Sequence, residues 1–347
     1  MPAVLVGALS LALLAGVTAS FDALGRFAPA MSAADRVRLD AGHTVVKVLP
    51  AGGRAIGAVA AVRIHVPPER LIAWTADIGA LRRSRYVSLI AQVSSPPAVD
   101  DFGALALDER DLDDLRRCRP GDCGLKLGAA EIERLQRSMR GQTDWRSAVQ
   151  QEFRRVLVDR VERYLAEGDA GLPAYEDHST PVVPSDEMAL LVDAIGLAAA
   201  DFPGVAEAVR LFPRAAHPDV VGSFVYWARE IFSGKPIVSL THVTVLRGTT
   251  ADGAVALTIS KQLYASHYRN ASLSFTALVE SGTTRFLVYA QRSHVDVLQG
   301  FLGGLARRVV EGRIREEAPA ALDAVRARLE SGDPPVAPPI SLRIFSR

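Results

Sequence analysis

The chain has 347 residues, of which 40 are basic and 39 acidic, for a formal net charge of +1. With 49% hydrophobic and 23% charged residues it has a globular composition, which excludes a disordered chain, and its length suits one or two domains. A near-neutral balance supplies no concentrated positive field, so no nucleic-acid partner is expected.

Residues 1–19 carry no charged side chain and end in Val17-Thr18-Ala19. An apolar run followed by small residues at the −3 and −1 positions is the pattern of a secretion signal, here cleaved after Ala19. No Lys or Arg precedes the run, and retention as an anchor is the alternative. The run is shorter than the roughly 20 residues a spanning helix needs. The expectation is an exported protein, periplasmic or secreted, with no stable membrane span after cleavage.

Strand character begins at His43 to Leu49 and resumes, after a turn at Gly52-Gly53, from Ala55 to Val66. Pro67-Pro68 then opens a helix bearing Leu71, Ile72, Trp74 and Ile78, since proline is tolerated in a first turn. Tyr86 to Val93 is a further strand. Asp108, Glu109, Asp111, Asp113 and Asp114 form an acidic run without the form of a calcium loop, and read as solvated surface. Beyond it lie Cys118 and Cys123, the only cysteines, on either side of Pro120-Gly121. That spacing suits a disulfide-closed turn in an oxidising compartment. Half of a zinc knuckle would need two more ligands nearby, and a free buried pair is the other alternative.

Residues 129–218 read as an all-helical insertion. Thr143 is a candidate N-cap, and Trp145, Val149, Phe153, Val156, Leu157, Val161, Tyr164 and Leu165 recur at three- and four-residue steps. From Val220 strands return: Phe224 to Trp227, Pro236 to Arg247, Ala254 to Tyr264, Ser272 to Glu280 and Arg285 to Gln291, with an Asp-Gly hairpin signal at Asp252-Gly253. Ser293 reads as the cap of a long helix carrying Val295, Leu298, Phe301, Leu302, Leu305, Val309, Val310 and Ile314, kinked or broken at Pro319. Gly300, Gly303 and Gly304 fall inside that helix, where close approach to a sheet would explain them. Residues 332–347 form a Pro-rich tail.

The segment AVAAVRIHVPPERLIAWTADI and the strand series running into SHVDVLQGFLGGLARRVVEG together resemble the START-like (SRPBCC), helix-grip superfamily. The resemblance implies an α+β fold in which an antiparallel curved sheet is gripped by a long C-terminal helix. Residues 41–128 and 219–331 would form one domain, interrupted by the helical insertion. It also implies an apolar small molecule or lipid held between sheet and helix. On that reading Leu298, Phe301, Leu302 and Leu305 face Leu257, Ile259, Phe275 and Val288 across a cavity; the same aliphatics would serve a core packed solid.

Lys261 shares its strand parity with Val255, Leu257, Ile259 and Leu263. An inward ammonium must be paired, so it either anchors a ligand carboxylate or phosphate or snorkels from a strand end. Arg292 is a second polar candidate. His242, His267 and His294 lie on or beside three strands without a compact ligand spacing, so no metal is expected. Gly-x-Ser-x-Gly, Gly-x-Gly-x-x-Gly and Gly-x4-Gly-Lys are absent, and no cofactor is expected. Three classes follow: an exported binding or transfer protein, an enzyme using Lys261 with His267 or Arg292, and a scaffold working through its helical insertion.

Overall fold

A computed structural model describes residues 22–195, 202–215, 217–232 and 234–332. The expected secretion signal and the Pro-rich arm beyond Gly332 lie outside these residues. Among the described residues eight strands form one antiparallel, curved, unclosed sheet in the order β1-β2-β8-β7-β6-β5-β4-β3. In chain order, α1 (Asp22–Phe27) and α2 (Ala33–Asp40) lead into β1 (Val45–Leu49) and β2 (Ala55–Ile64). Next come α3 (Glu69–Ala76), α4 (Ile78–Arg82) and β3 (Val87–Gln92). α5 (Glu109–Leu115) follows, and the helical insertion carries α6 (Ala129–Met139), α7 (Trp145–Glu167), α8 (Pro184–Ile195) and α9 (Val205–Leu211). The meander β4 (Val220–Phe232), β5 (Lys235–Thr250), β6 (Gly253–Ala265), β7 (Arg269–Ser281) and β8 (Thr284–Val295) follows, and α10 (Gly303–Glu330) closes the chain.

Antiparallel pairing of β2 with β8 joins the early strands to the late ones, with Ala60 opposite Tyr289 and Ile56 opposite Ser293. The inner strands outrun their sequence signals because long partners extend the ladder; β4 pairs with β5 from Val220 to Phe232. Both faces of the sheet are covered. The inner face carries α3, α4 and α10, packing Leu71, Trp74, Ile78, Leu81, Leu322 and Leu329 on Ala60, Val62, Tyr226, Val243, Leu278 and Leu287. On the outer face α1, α8 and α9 cover Leu257, Ile259, Phe275 and Val288, while α6 and α7 cover Val225, Trp227, Leu240 and Tyr264.

Several local expectations are corrected. Asp144, not Thr143, caps α7: its carboxylate accepts from the backbone N–H of Ser147. Ser293 caps no helix; it lies within β8, donating from Oγ to Ser272 Oγ at 2.8 Å. The chain turns first and α10 starts later, at Gly303, where a Cβ would stand 2.3 Å from the carbonyl oxygen of Leu298. Gly300 precedes that helix, and Pro319 lies within it without ending it. Cys118 and Cys123 are disulfide-bonded, with 4.4 Å between their Cα atoms. Among the described residues no helix is long and apolar enough to cross a membrane.

Candidate ligand-binding groove

The residues expected to face one another across a cavity are divided by the sheet. Leu257, Ile259, Phe275 and Val288 are buried on the outer face, beneath α1, α8 and α9. Leu298 is buried near the start of α10 with Ile56 and Val295, whereas Phe301, Leu302 and Leu305 are exposed. The physical reason is that strand alternation separates two faces without saying which helix covers each. Here the more apolar parity lies under the helical insertion, and the more polar parity lies toward α10.

Lys261 follows its parity to the outer face. Its ammonium lies 2.9 Å from Asp169 and donates to the carbonyl of Val209 at 2.9 Å. Burial lowers its pKa while Asp169 pulls the other way. Beside it, Tyr164 Oη lies 2.7 Å from His242 Nδ1, and Ser223 Oγ lies 2.6 Å from His242 Nε2. Burial, with help from the Lys261 charge, holds the His242 pKa down to about 3, so the ring is neutral. Ser223 and His242 have the spacing of a nucleophile and base, but both are buried and the adjoining void, lined by His242, Thr244, Ile259 and Phe212, is only ≈ 20 Å³. That is room for about one water, not for a substrate.

The other candidates are dispersed. His267 is held by Asp111 at 3.1 Å, and His294 by Glu187 at 2.5 Å. Arg292 occupies the outer face in line with Lys261, with Leu273 of β7 between them. Thus neither His267 nor Arg292 meets Lys261, and the three histidines bind separate partners. Asp177, His178 and Asp296 converge to metal-ligand spacing. The Lys126 ammonium already sits there, 3.1 Å from Asp177, 2.5 Å from Asp296 and 2.7 Å from Asn270 Oδ1, supplying the positive charge itself.

Sequence reasoning missed the inner face. Thr258, Ser260 and Gln262 of β6 pair with Thr276 and Ser274 of β7 and Thr241 of β5, and these lead on to Tyr289 and Gln291 of β8. Although these strands are central, Ser260, Ser274, Thr276, Tyr289 and Gln291 are only half-buried. One half of the inner face is sealed, because α3 packs on β5 and β6 and Thr75 Oγ1 reaches Thr258 Oγ1 at 3.3 Å. In the other half the inward side chains keep partial contact with solvent.

Charged groups gather in that half. Arg269, at the start of β7, pairs with Glu230 near the end of β4, and Ser239 donates to Glu230 at 3.2 Å. Arg82, the last residue of α4, donates to Tyr226 Oη. Burial opposes the Glu230 charge, but Arg269 and Arg82 outweigh it and hold the carboxyl below its usual range. Burial raises the Tyr226 and Tyr289 hydroxyls, keeping both as neutral donors. Gln291 donates to Ser293 at 2.9 Å and accepts from Tyr289 at 2.6 Å. Gln262 Oε1 and Arg269 Nε are buried without a hydrogen-bond partner. Beside this polar floor stands an apolar wall of Ile56, Val295 and Leu298 with Phe232, Tyr268, Val310 and Ile314. The signal is present in the sequence: Thr258, Ser260 and Gln262 alternate with aliphatics, and it is this polar parity that lies on the inner face.

No family model and no curated protein matches the chain. A solved structure of TTHA0849 from Thermus thermophilus is similar over 32% of this chain and 72% of that one, at 13% identity and a TM-score of 0.24.

Proposed function

We propose that this protein binds or transfers a small amphiphile, lodged in the groove between the inner face of the sheet and α10. The supporting observation is the half-burial of Ser260, Ser274, Thr276 and Gln291 at the centre of an eight-stranded sheet, beside the Arg82–Tyr226 and Glu230–Arg269 pairs. Central strands whose inner side chains keep contact with solvent border a space that their helices do not fill. A polar floor beside an apolar wall suits a guest with one polar end. In this reading Arg82 and Arg269 hold an anionic or strongly polar head, Gln262 and Gln291 orient it, and Val310 and Ile314 line its tail. The order strand, two helices, strand, meander and long helix supports START-like membership, and the disulfide is compatible with an exported protein.

Extraction of natively purified protein, with mass spectrometry of what it releases, is the direct test. A fluorescent fatty-acid probe should bind saturably and lose about tenfold in affinity in an Arg269→Met, Glu230→Met variant, the size of a lost charge-assisted contact. An empty extract together with probe binding indifferent to that variant would exclude the groove. The double change removes both charges of the pair together; Arg82 loses the nearby Glu230 carboxylate and keeps Tyr226, so the melting temperature of the variant is measured beside its binding.

A further inference from the structure

Nine large apolar side chains are exposed among the described residues, and five of them, Val297, Phe301, Leu302, Leu305 and Val309, fall in one short stretch where the chain enters α10. Phe301 is 102% exposed and Leu302 65%. Between Phe301 and Arg315 the chain carries four arginines against one acidic residue, Glu311. Arg307 is used structurally, donating to the carbonyls of Ala55 and Gly53. Glu311 is engaged by Arg315 at 3.0 Å. Arg308 and Arg313 are exposed beside the apolar residues.

We infer that this entry to α10 docks on an anionic lipid bilayer, with Phe301, Leu302, Leu305 and Val309 entering the interface and Arg308 and Arg313 meeting the headgroups. An aromatic and aliphatic cluster flanked by arginines is the composition of an interfacial helix face, and each exposed arginine adds attraction to anionic lipid. A second copy seated on this face would bring the exposed Arg308 and Arg313 against their own counterparts, like charge on like, whereas anionic headgroups would pair with them. A second copy of the chain is therefore the poorer occupant. The inference stands on the surface of the molecule and does not require that the groove bind anything.

The test uses the full chain and sedimentation with vesicles of phosphatidylcholine alone or with phosphatidylglycerol at roughly a third of the lipid. Binding should require phosphatidylglycerol and weaken as salt rises. It should fall about tenfold or more in Phe301→Ser, Leu305→Ser, and also in Arg308→Gln, Arg313→Gln. All four positions are exposed, so thermal melting should be unchanged, and a Phe301→Trp variant should shift its emission to the blue with anionic vesicles only. Probe binding in the groove, measured without vesicles on the same variants, separates a failure here from a failure of the groove. No sedimentation, sedimentation that the variants do not alter, or a dimer in solution that Phe301→Ser dissociates would each overturn the inference.

Discussion

Lys261 of β6 and Asp169, which follows α7, form an ion pair of 2.9 Å across the boundary between the sheet and its helical insertion. Lys261 is almost wholly buried, so the pair is a structural tie whose two ends depend on each other. Asp169→Asn should destabilise the protein by about 3 kcal/mol, because it strands a buried ammonium, whereas Lys261→Met with Asp169→Leu should recover most of that loss. Urea unfolding of the three proteins checks this. A double variant no better than the single one would show that the pair contributes net stability.

Stability should also fall as the solution is acidified through the histidine range. His242 has a folded-state pKa of about 3 against an ordinary 6.5, so the unfolded chain takes up its proton first. The stabilisation is fully present above pH 6.5 and is lost as pH falls toward 3. The slope should approach about 1.4 kcal/mol per pH unit over that window. Asp35, lowered to about 2 by Lys47 and Ser32, adds a loss of the same sign below its ordinary 3.8. Denaturant midpoints of the wild type and His242→Gln between pH 4.5 and 6.5 isolate the histidine; parallel curves would refute its part.

Gly168 ends α7 with φ of 72° and ψ of −146°. A Cβ there would stand 2.0 Å from the carbonyl oxygen of Phe212. Gly168→Ala therefore meets both a disfavoured backbone conformation and a clash with main chain, and should cost at least about 3 kcal/mol. Its melting temperature beside that of Gly141→Ala, where φ is also positive (70°) but the space is open, separates the clash from the strain.

The Cys118–Cys123 bond closes a short loop, with a sequence separation of 5. Alkylation in denaturant without reductant should label neither cysteine. Cys118→Ser with Cys123→Ser should lower stability by about 2 kcal/mol, as expected of so small a loop. Two thiols labelled before reduction would show that the bond does not form.

How far the sequence could be read depended on whether a signal was local. The Asp252-Gly253 hairpin, the α7 periodicity through Val149, Phe153 and Val156, and the cysteine pair each lie within a few residues, and each is found in the structure. The face of a strand is not local. Leu257 and Ile259 look the same whether α9 or α10 covers them, and the choice depends on helices far away in sequence. The charged cluster on the inner face was missed for the same reason. Glu230 and Arg269 lie on different strands, and only the pairing of β4 with β5, β5 with β6 and β6 with β7 brings them together.

The unclosed sheet has a further consequence. Its two edges are its shortest strands, β1 with 5 residues and β3 with 6, while the strands between them run from 10 to 16. A free edge is a template on which another chain can pair, and its risk grows with the length of unpaired backbone it offers. The long, apolar strands that could seed fibrils are therefore kept inside. Loss of β1 would uncover β2, whose ten residues from Ala55 to Ile64 hold a single charge, Arg63, and propagation of such an edge into cross-β assemblies is what this strand order guards against.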